Sequence, residues 1–343
     1  MTARPGTLFG ALQASAQRHG GHPAMTFLGP RGAAKTFTFD ELFAASSLLA
    51  PRITAASLDH RAPIGILVES QECQVLHYLA ILAAGHIPAI LTPPSRRFDR
   101  AYYAQTMSAV LSRCGFSAVI SDLPVFDGQA RVLQPYTFEA SGPSAPAPQD
   151  DCSGAAFIQF SSGTTGMKRG IVIDHGAALA QLDAYRDALG LSDVDRVVSW
   201  LPLYHDFGFI ATMNLPLLTG VHAVLLQPHD WVADPASYLR AVTQYRGTVG
   251  FHPNFAFAFM AERVTDAQLD GLDLSSLRAL VNASETVTHS SQQRFFDRFA
   301  PFGLRPDVFC GLWGMAEMTL SLTAARGSDP DYLDYAGPSG AAA

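Results

Sequence analysis

The residues from Phe157 to Asp174 read F-I-Q-F-S-S-G-T-T-G-M-K-R-G-I-V-I-D, two apolar, β-branched-rich runs around a loop of Ser, Gly and Thr. Gly163 and Gly166 permit backbone turns that bulkier residues resist. Ser161, Ser162, Thr164 and Thr165 bring hydroxyl donors, and exposed loop N–H groups can form an anion-binding nest. Lys168 and Arg169 follow at once and add positive charge. This chemistry suits a polyphosphate. It is not the G-x-x-x-x-G-K-[ST] loop of kinases and GTPases, because only two residues separate Gly163 from Gly166. Read alone, such a loop is more often a plain hairpin connection.

Three further stretches carry chemistry. Trp200 to Gly208 reads W-L-P-L-Y-H-D-F-G, a strand that ends at a proline and brings Tyr204, His205 and Asp206 together. A helix start capped by Asp206 is the plain reading of it. Val281 to Val287 reads V-N-A-S-E-T-V, which places Asn282, Ser284 and Glu285 at the carboxyl end of a strand, where open α/β sheets bind ligands. Cys310 to Leu320 reads C-G-L-W-G-M-A-E-M-T-L; Trp313 could stack on a base and Glu317 could hold a cation. Taken singly, Trp313 is also an ordinary core residue and Glu317 an ordinary solvated one.

Short apolar strands alternating with amphipathic helices must position these groups. Strands are expected at Pro63–Val68, Ile87–Leu91, Ala118–Ser121, Val197–Leu201, Val221–Leu226, Val249–Phe251 and Leu277–Asn282. Helices are expected at Thr7–His19, Cys73–Ala84, Tyr102–Cys114, His175–Leu189, Ala211–Leu218, Pro235–Tyr245, Phe255–Val264 and Ser290–Phe299. Ala24–Leu28 and Thr36–Phe39 read as a hairpin around Gly29-Pro30-Arg31-Gly32, with a helix after Asp40. The alternation indicates mostly parallel sheets covered by helices on both faces, one in each half of the chain. Ala140 to Gln149 reads as a Pro/Ser linker and residues 326–343 as an irregular tail.

The 343 residues are 48% hydrophobic and 15% charged, enough for a large core or several packed subdomains. A net charge of -7 argues against non-specific nucleic-acid binding and a polybasic membrane anchor. The scattered Cys73, Cys114, Cys152 and Cys310 form no C-x-x-C pair and read as reduced thiols without a zinc site. With no signal peptide in view and no apolar run long enough to span a bilayer, a cytoplasmic location is expected.

In this order the four stretches resemble the adenylate-forming superfamily. The loop resembles its T-S-G-[ST]-T-G-x-P-K-G signature, N-A-S-E its N-[GA]-[AS]-E-P, and W-G-M-A-E-M-T-L its Y-G-M-A-E-x-T-L. W-L-P-L-Y-H-D-F-G, F-H-P-N-F-A-F and P-P-S-R-R-F-D-R resemble the branch of fatty-acyl-AMP ligases and related acyl-CoA ligases. The resemblance covers residues 7–325 as the large amino-terminal domain of two stacked, mostly parallel αβα subdomains. It implies ATP-dependent conversion of a fatty acid to an acyl-adenylate, with release of pyrophosphate, for an acyl carrier protein in lipid or polyketide synthesis. It implies that Ser161, Ser162, Gly163, Thr164, Thr165 and Gly166 cradle the phosphates beside Arg169. Glu317 with Thr165 would ligate Mg²⁺; Ser284, Glu285, Trp313, Gly314 and Met315 would hold the adenine. His205 would sit between the phosphates and an acyl tunnel. Phe207, Phe209, Met213, Trp231, Phe251, Phe255 and Phe259 are the tunnel candidates.

Departures from the pattern include Lys168-Arg169-Gly170 where the family has Pro-Lys-Gly, so that Arg169 stands for a lysine, and Thr286 for a proline and Trp313 for a tyrosine. Arginine binds phosphate as a planar fork rather than a point charge. The family's ribose-binding motif, hinge and lid domain with its catalytic lysine do not follow; Lys35 and Lys168 are the only lysines. The expectation is a large domain with the lid domain absent, weakly active alone, with a lid possible in trans. An acyl-CoA ligase domain and a catalytically silent nucleotide- or acyl-binding module remain open. No G-x-S-x-G supports a serine hydrolase, and no G-x-G-x-x-G after a strand supports a dinucleotide enzyme.

Overall fold

The computed structural model describes residues 5–29, 33–56, 61–94, 99–123, 131–136, 154–161, 169–315 and 319–326. The linker at 140–149 and the tail from 327 lie outside the described residues. The chain opens with α1 (Leu8–His19), the hairpin β1 (Pro23–Leu28) and β2 (Ala34–Thr38), and α2 (Phe39–Ala56). An α/β unit follows: β3 (Pro63–Leu67), α3 (Gln71–Ala83), β4 (Ile87–Ile90), α4 (Arg100–Arg113), β5 (Ala118–Ser121) and β6 (Arg131–Leu133). A second hairpin is β7 (Ala155–Ser161) and β8 (Arg169–Asp174). Then come α5 (His175–Leu189), β9 (Arg196–Ser199), a π-helix (Phe207–Asn214) continued by α6 (Leu215–Thr219), and β10 (His222–Leu226). The remainder is α7 (Pro228–Ala233), α8 (Ala236–Tyr245), β11 (Val249–Pro253), α9 (Asn254–Arg263), β12 (Ala279–Ala283), α10 (His289–Phe299), β13 (Phe309–Gly314) and β14 (Ser321–Arg326).

The strands form a sheet of eight in the order β14-β13-β12-β11-β9-β10-β1-β2, a sheet of four in the order β4-β3-β5-β6, and the hairpin β7-β8. The four-stranded sheet is parallel throughout. In the large sheet only the edge strands β2 and β14 run antiparallel. The architecture is the expected α/β pair of mostly parallel sheets, but it does not divide at the middle of the chain. β1 pairs with β10 in register Met25 to Ala223, so the first hairpin completes the sheet of the second half.

The amino ends of β9, β11 and β12 are tied by one buried carboxylate. Asp195 accepts from Arg278 through both oxygens, at 2.7 Å each, and from Thr248 Oγ1 at 2.7 Å. Burial raises the Asp195 pKa, but the hydrogen bonds from Arg278, Ser192 and Thr248 outweigh it and hold the group below its ordinary value.

Where an α-helix over 211–218 is expected, the chain instead makes an eight-residue π-helix from Phe207 to Asn214. Side chains account for it. Asn214 Nδ2 donates to the carbonyl of Phe209 five residues back, at 3.0 Å, and Tyr78 Oη of α3 donates to Asn214 Oδ1 at 2.9 Å. Gly208 is required at its start, because a Cβ there would lie 2.2 Å from the carbonyl oxygen of Pro202. Phe209 packs edge-on against Tyr78 and against Phe157 of β7, with ring centroids 5.1 and 4.9 Å away. The π-helix is thus the wedge at which both sheets' layers and the second hairpin meet.

Candidate active site

Four segments follow the ends of regular elements. The stem strands β7 and β8 pair from Phe157 with Ile173 to Ser161 with Arg169. This antiparallel hairpin presents the hydroxyl-rich loop; Ser162, Gly163, Thr164, Thr165 and Gly166 themselves lie outside the described residues. Ser161 closes β7 and Arg169 opens β8, where it is exposed. Glu317 also lies outside the described residues. Its neighbourhood is anchored nonetheless: Gln159 of β7, buried, donates from Nε2 to the Thr319 carbonyl at 2.9 Å. Thr319 has φ of 70°, a left-handed conformation that a threonine adopts only under constraint. The stem of the loop and the segment after Glu317 are therefore in contact across 160 residues of sequence.

After β9 the chain turns at Pro202 into Tyr204, His205 and Asp206. Asp206 caps the π-helix, accepting from Phe207 N at 2.7 Å, as the plain reading of this motif expects. His205 Nδ1 lies 2.6 Å from Asp206 Oδ1, and the imidazole is half exposed. Tyr204, His205, Gln159, Ile90 and Phe209 line a narrow crevice, with room for little more than a water molecule, between the hairpin and the π-helix. Burial pushes the Tyr204 phenol above its ordinary pKa, so it is a neutral donor here.

The adjacent parallel strands β12 and β13 supply the third and fourth segments. Ser284 follows β12 directly with φ of 74°, and Ser284, Glu285 and Thr286 are exposed. Glu285 Oε1 accepts from Phe255 N, the second residue of α9, at 2.5 Å, where a helix N-terminus favours an anion. Trp313 ends β13 with 61% of its surface exposed, so it is not core; Gly314 and Met315 continue the same edge. An exposed indole beside a strained serine turn makes a flat, hydrogen-bonding ledge suited to a planar heterocycle.

The seven aromatic and sulfur tunnel candidates do not share one surface. Phe251 and His252 are consecutive in β11 and so face opposite sides of the sheet. Phe207 packs edge-on against Phe251 at 5.8 Å, on the side of the π-helix, which also carries Phe209 and Met213. Trp231 lies on the other side, stacked at 3.5 Å and 4° on Trp200, whose Nε1 donates to His252 Nδ1 at 3.0 Å. Phe255 and Phe259 pack against Trp231, with Phe255 half exposed. Of the first group Phe209 lines the His205 crevice, and Phe207, Met213 and Phe251 are buried on the same side of the sheet. The second is a wall of α7 and α9.

Motif reading missed Asn254 and Gln159, which tie these segments to one another. Both stood inside quoted stretches, but their partners are 28 to 37 and 160 residues away, and no local pattern marks such contacts. Among the described residues no group of three His, Cys, Asp or Glu side chains forms a metal cage. No described helix is long and apolar enough to cross a membrane.

A mostly parallel α/β domain with a hydroxyl-rich hairpin loop, a stacking edge on β13 and a histidine turn after β9 has the architecture of an adenylate-forming large domain. The chain belongs to the AMP-binding enzyme family, which it matches over residues 12–342. It is 31% identical over 336 residues to a long-chain-fatty-acid–AMP ligase, FadD26, of Mycobacterium marinum, covering 91% of this chain and 56% of that protein. A solved structure of fatty acyl-adenylate ligases from E. coli and L. pneumophila superposes with TM-score 0.83 at 26% identity, over 95% of this chain and 60% of that one. A fatty acyl-adenylate ligase from L. pneumophila in complex with acyl adenylate and pyrophosphate superposes with TM-score 0.84 at 24% identity, over 94% and 57%. The chain spans little more than half the length of these proteins.

Proposed function

We propose that this chain is the nucleotide- and acyl-binding domain of a fatty-acyl-AMP ligase. One observation carries the reading: the stem of the hydroxyl-rich loop, the segment after Glu317 and the histidine turn meet at Gln159, which both bonds the Thr319 carbonyl and lines the His205 crevice. In the proposed reaction a fatty-acid carboxylate oxygen attacks the α-phosphorus of ATP. The new P–O bond forms as the bond to the β-phosphate bridging oxygen breaks, giving acyl-adenylate and pyrophosphate. Negative charge approaches negative charge, so the protein must fix the line of attack and neutralise the phosphates.

Ser161, Ser162, Thr164, Thr165 and Arg169 would hold the β- and γ-phosphates. Ser284, Glu285, Trp313, Gly314 and Met315 would hold the adenine, with the Glu285 carboxylate acting through its bond to Phe255 N. His205, fixed by Asp206, would stand at the mouth of the crevice where the acyl carboxylate enters. Phe209, which lines the crevice, and Phe207, Met213 and Phe251 on the same side of the sheet would face the acyl chain. A hydroxyl and a carboxylate, from Thr165 and Glu317, form a hard-oxygen donor pair of the kind that suits Mg²⁺, which would neutralise phosphate charge. The acceptor in this reading is an acyl carrier protein, and a lid domain acts from outside these residues.

The test is mass-spectrometric detection of acyl-AMP with ATP, Mg²⁺ and fatty acids of graded length, repeated with coenzyme A and with a relative's carboxy-terminal lid domain added in trans. Slow acyl-AMP formation by residues 1–343, accelerated at least 10-fold by the lid and unaffected by coenzyme A, is expected. Coenzyme A thioester as the product would replace the reading with an acyl-CoA ligase. Equal rates with and without the lid would remove the lid from it.

A further inference from the structure

Asn254 opens α9 but does not cap it, and its side chain points to the opposite loop. Its Oδ1 accepts from Asn282 Nδ2 at 3.0 Å and from Thr288 N at 3.0 Å. Its Nδ2 donates to Thr288 Oγ1 at 3.1 Å and to Ser291 Oγ at 3.2 Å. An amide has two acceptor lone pairs and two donor hydrogens, so its capacity is filled. The side chain is 8% exposed, and Thr288 Oγ1 and Ser291 Oγ are themselves 2.8 Å apart. All four bonds fall on the two ends of one loop: Asn282 is the last-but-one residue of β12, and Thr288 and Ser291 begin α10. The next residue, Phe255, holds the middle of the same loop through Glu285.

We infer that Asn254 is a positioning residue for nucleotide, setting the β12–α10 loop that presents Ser284 and Glu285. This rests on the reading of that loop as the adenine site. The loop needs such a clamp for two reasons. Ser284 sits at φ of 74°, a conformation that is strained outside glycine and persists only when its surroundings fix it. Thr286 stands where a proline would otherwise stiffen the chain. A buried, fully satisfied amide does from the side what a ring would do from within.

Asparagine is not uniquely able to do this. An aspartate keeps both acceptor bonds and can accept from the hydroxyls of Thr288 and Ser291, which rotate to donate. A leucine of similar volume makes none of the four. Equilibrium binding of ATP and GTP to the full chain with Mg²⁺ is therefore measured by calorimetry for wild type, Asn254→Leu, Asn254→Asp and Thr288→Val, alongside thermal unfolding. The expected result is at least a 10-fold rise in the ATP Kd for Asn254→Leu, a reduced preference for ATP over GTP, and a Kd for Asn254→Asp within about 3-fold of wild type. Thr288→Val, which removes one hydroxyl, should fall between. If Asn254→Leu does not fold, the ordering Asp, then Val, still decides. ATP and GTP affinities unchanged in the folded variants, or lost in the same proportion with no change in preference, would overturn the assignment while leaving the adenine site standing. A wild-type chain that binds no ATP would remove both.

Discussion

The two faces of β11 are built on different principles. On the side of Phe251 the sheet meets the π-helix through apolar rings: Phe207 on Phe251, with Phe209 reaching Tyr78 and Phe157. On the side of His252 it meets α8, α7 and α9 through aromatic side chains that also carry polar atoms: Trp200, Trp231, Tyr238 and His252 itself. Tyr238 Oη lies over Gly250, where a Cβ would come within 2.1 Å of it, and it has no protein partner. The acyl site proposed above would belong against the first face. The second face is a wall of stacked rings joined by the hydrogen bond from Trp200 Nε1 to His252 Nδ1, and from its edge Asn254 reaches the β12–α10 loop.

The sharpest way to test that contrast is Phe251→Ala. Phe251 is fully buried, so its truncation removes packing on the crevice side only. The expected cost is about 3–5 kcal/mol of unfolding free energy by urea denaturation. Acyl-AMP formation should fall along with it, whereas ATP binding by the surviving folded protein should stay within about 2-fold. A stability loss under about 1 kcal/mol would mean that this face already opens into a void.

A smaller effect separates the faces by pH. Burial holds His252 down at about 3 and His222 down at about 4, the latter with help from Arg196, against an ordinary 6.5. In the unfolded chain both take up protons near pH 6.5; in the folded protein neither does until much lower pH. Stability is thus complete above about pH 6.5 and falls as the pH drops toward 4, by up to about 1.4 kcal/mol per pH unit for each group. His252→Phe should remove one such contribution between pH 6.0 and 4.5, so the variant's stability should vary less steeply with pH than that of wild type. Parallel curves for the two proteins in urea titrations over that window would show that His252 is open to water.

Much of this division was beyond the reach of sequence reading, and the reasons are physical. The hairpin carrying the loop and strands β9, β10, β11 and β12 are legible because β-branched apolar runs bounded by polar turns have few other solutions. Asp206 as a helix cap was legible for the same local reason. The three-residue β6 and six-residue α7 are too short to show a period. The π-helix depends on Tyr78 meeting Asn214 from 136 residues away. The tunnel candidates looked alike because aromatic type does not encode a face. Only the strand register and the Trp200–Trp231 stack separate Phe251 from Trp231. Of the site, the residue types were legible, but the clamps at Gln159 and Asn254 were not, since each is defined by partners distant in sequence.

The smallest expected effect probes the His252 side alone. Trp200→Phe keeps an aromatic ring for Trp231 to stack on but removes the donor to His252 Nδ1. It orphans a fully buried acceptor whose other ring nitrogen, Nε2, already lacks a protein partner. That should cost about 1–3 kcal/mol, most of it the desolvation of the unpaired nitrogen rather than the bond itself. Adding His252→Phe removes the orphan as well, so the double variant should be destabilised by less than the sum of the two single changes, with a coupling of about 1 kcal/mol in a double-mutant cycle. On the Phe251 face a cycle between Phe207→Leu and Phe251→Leu leaves no polar group behind, and it should show a coupling of no more than about 0.5–1.5 kcal/mol from ring contact alone. Additive losses at Trp200 and His252 would show that water reaches this wall and satisfies the imidazole. The wall could not then serve as the dry, fixed support from which α9 would position the β12–α10 loop.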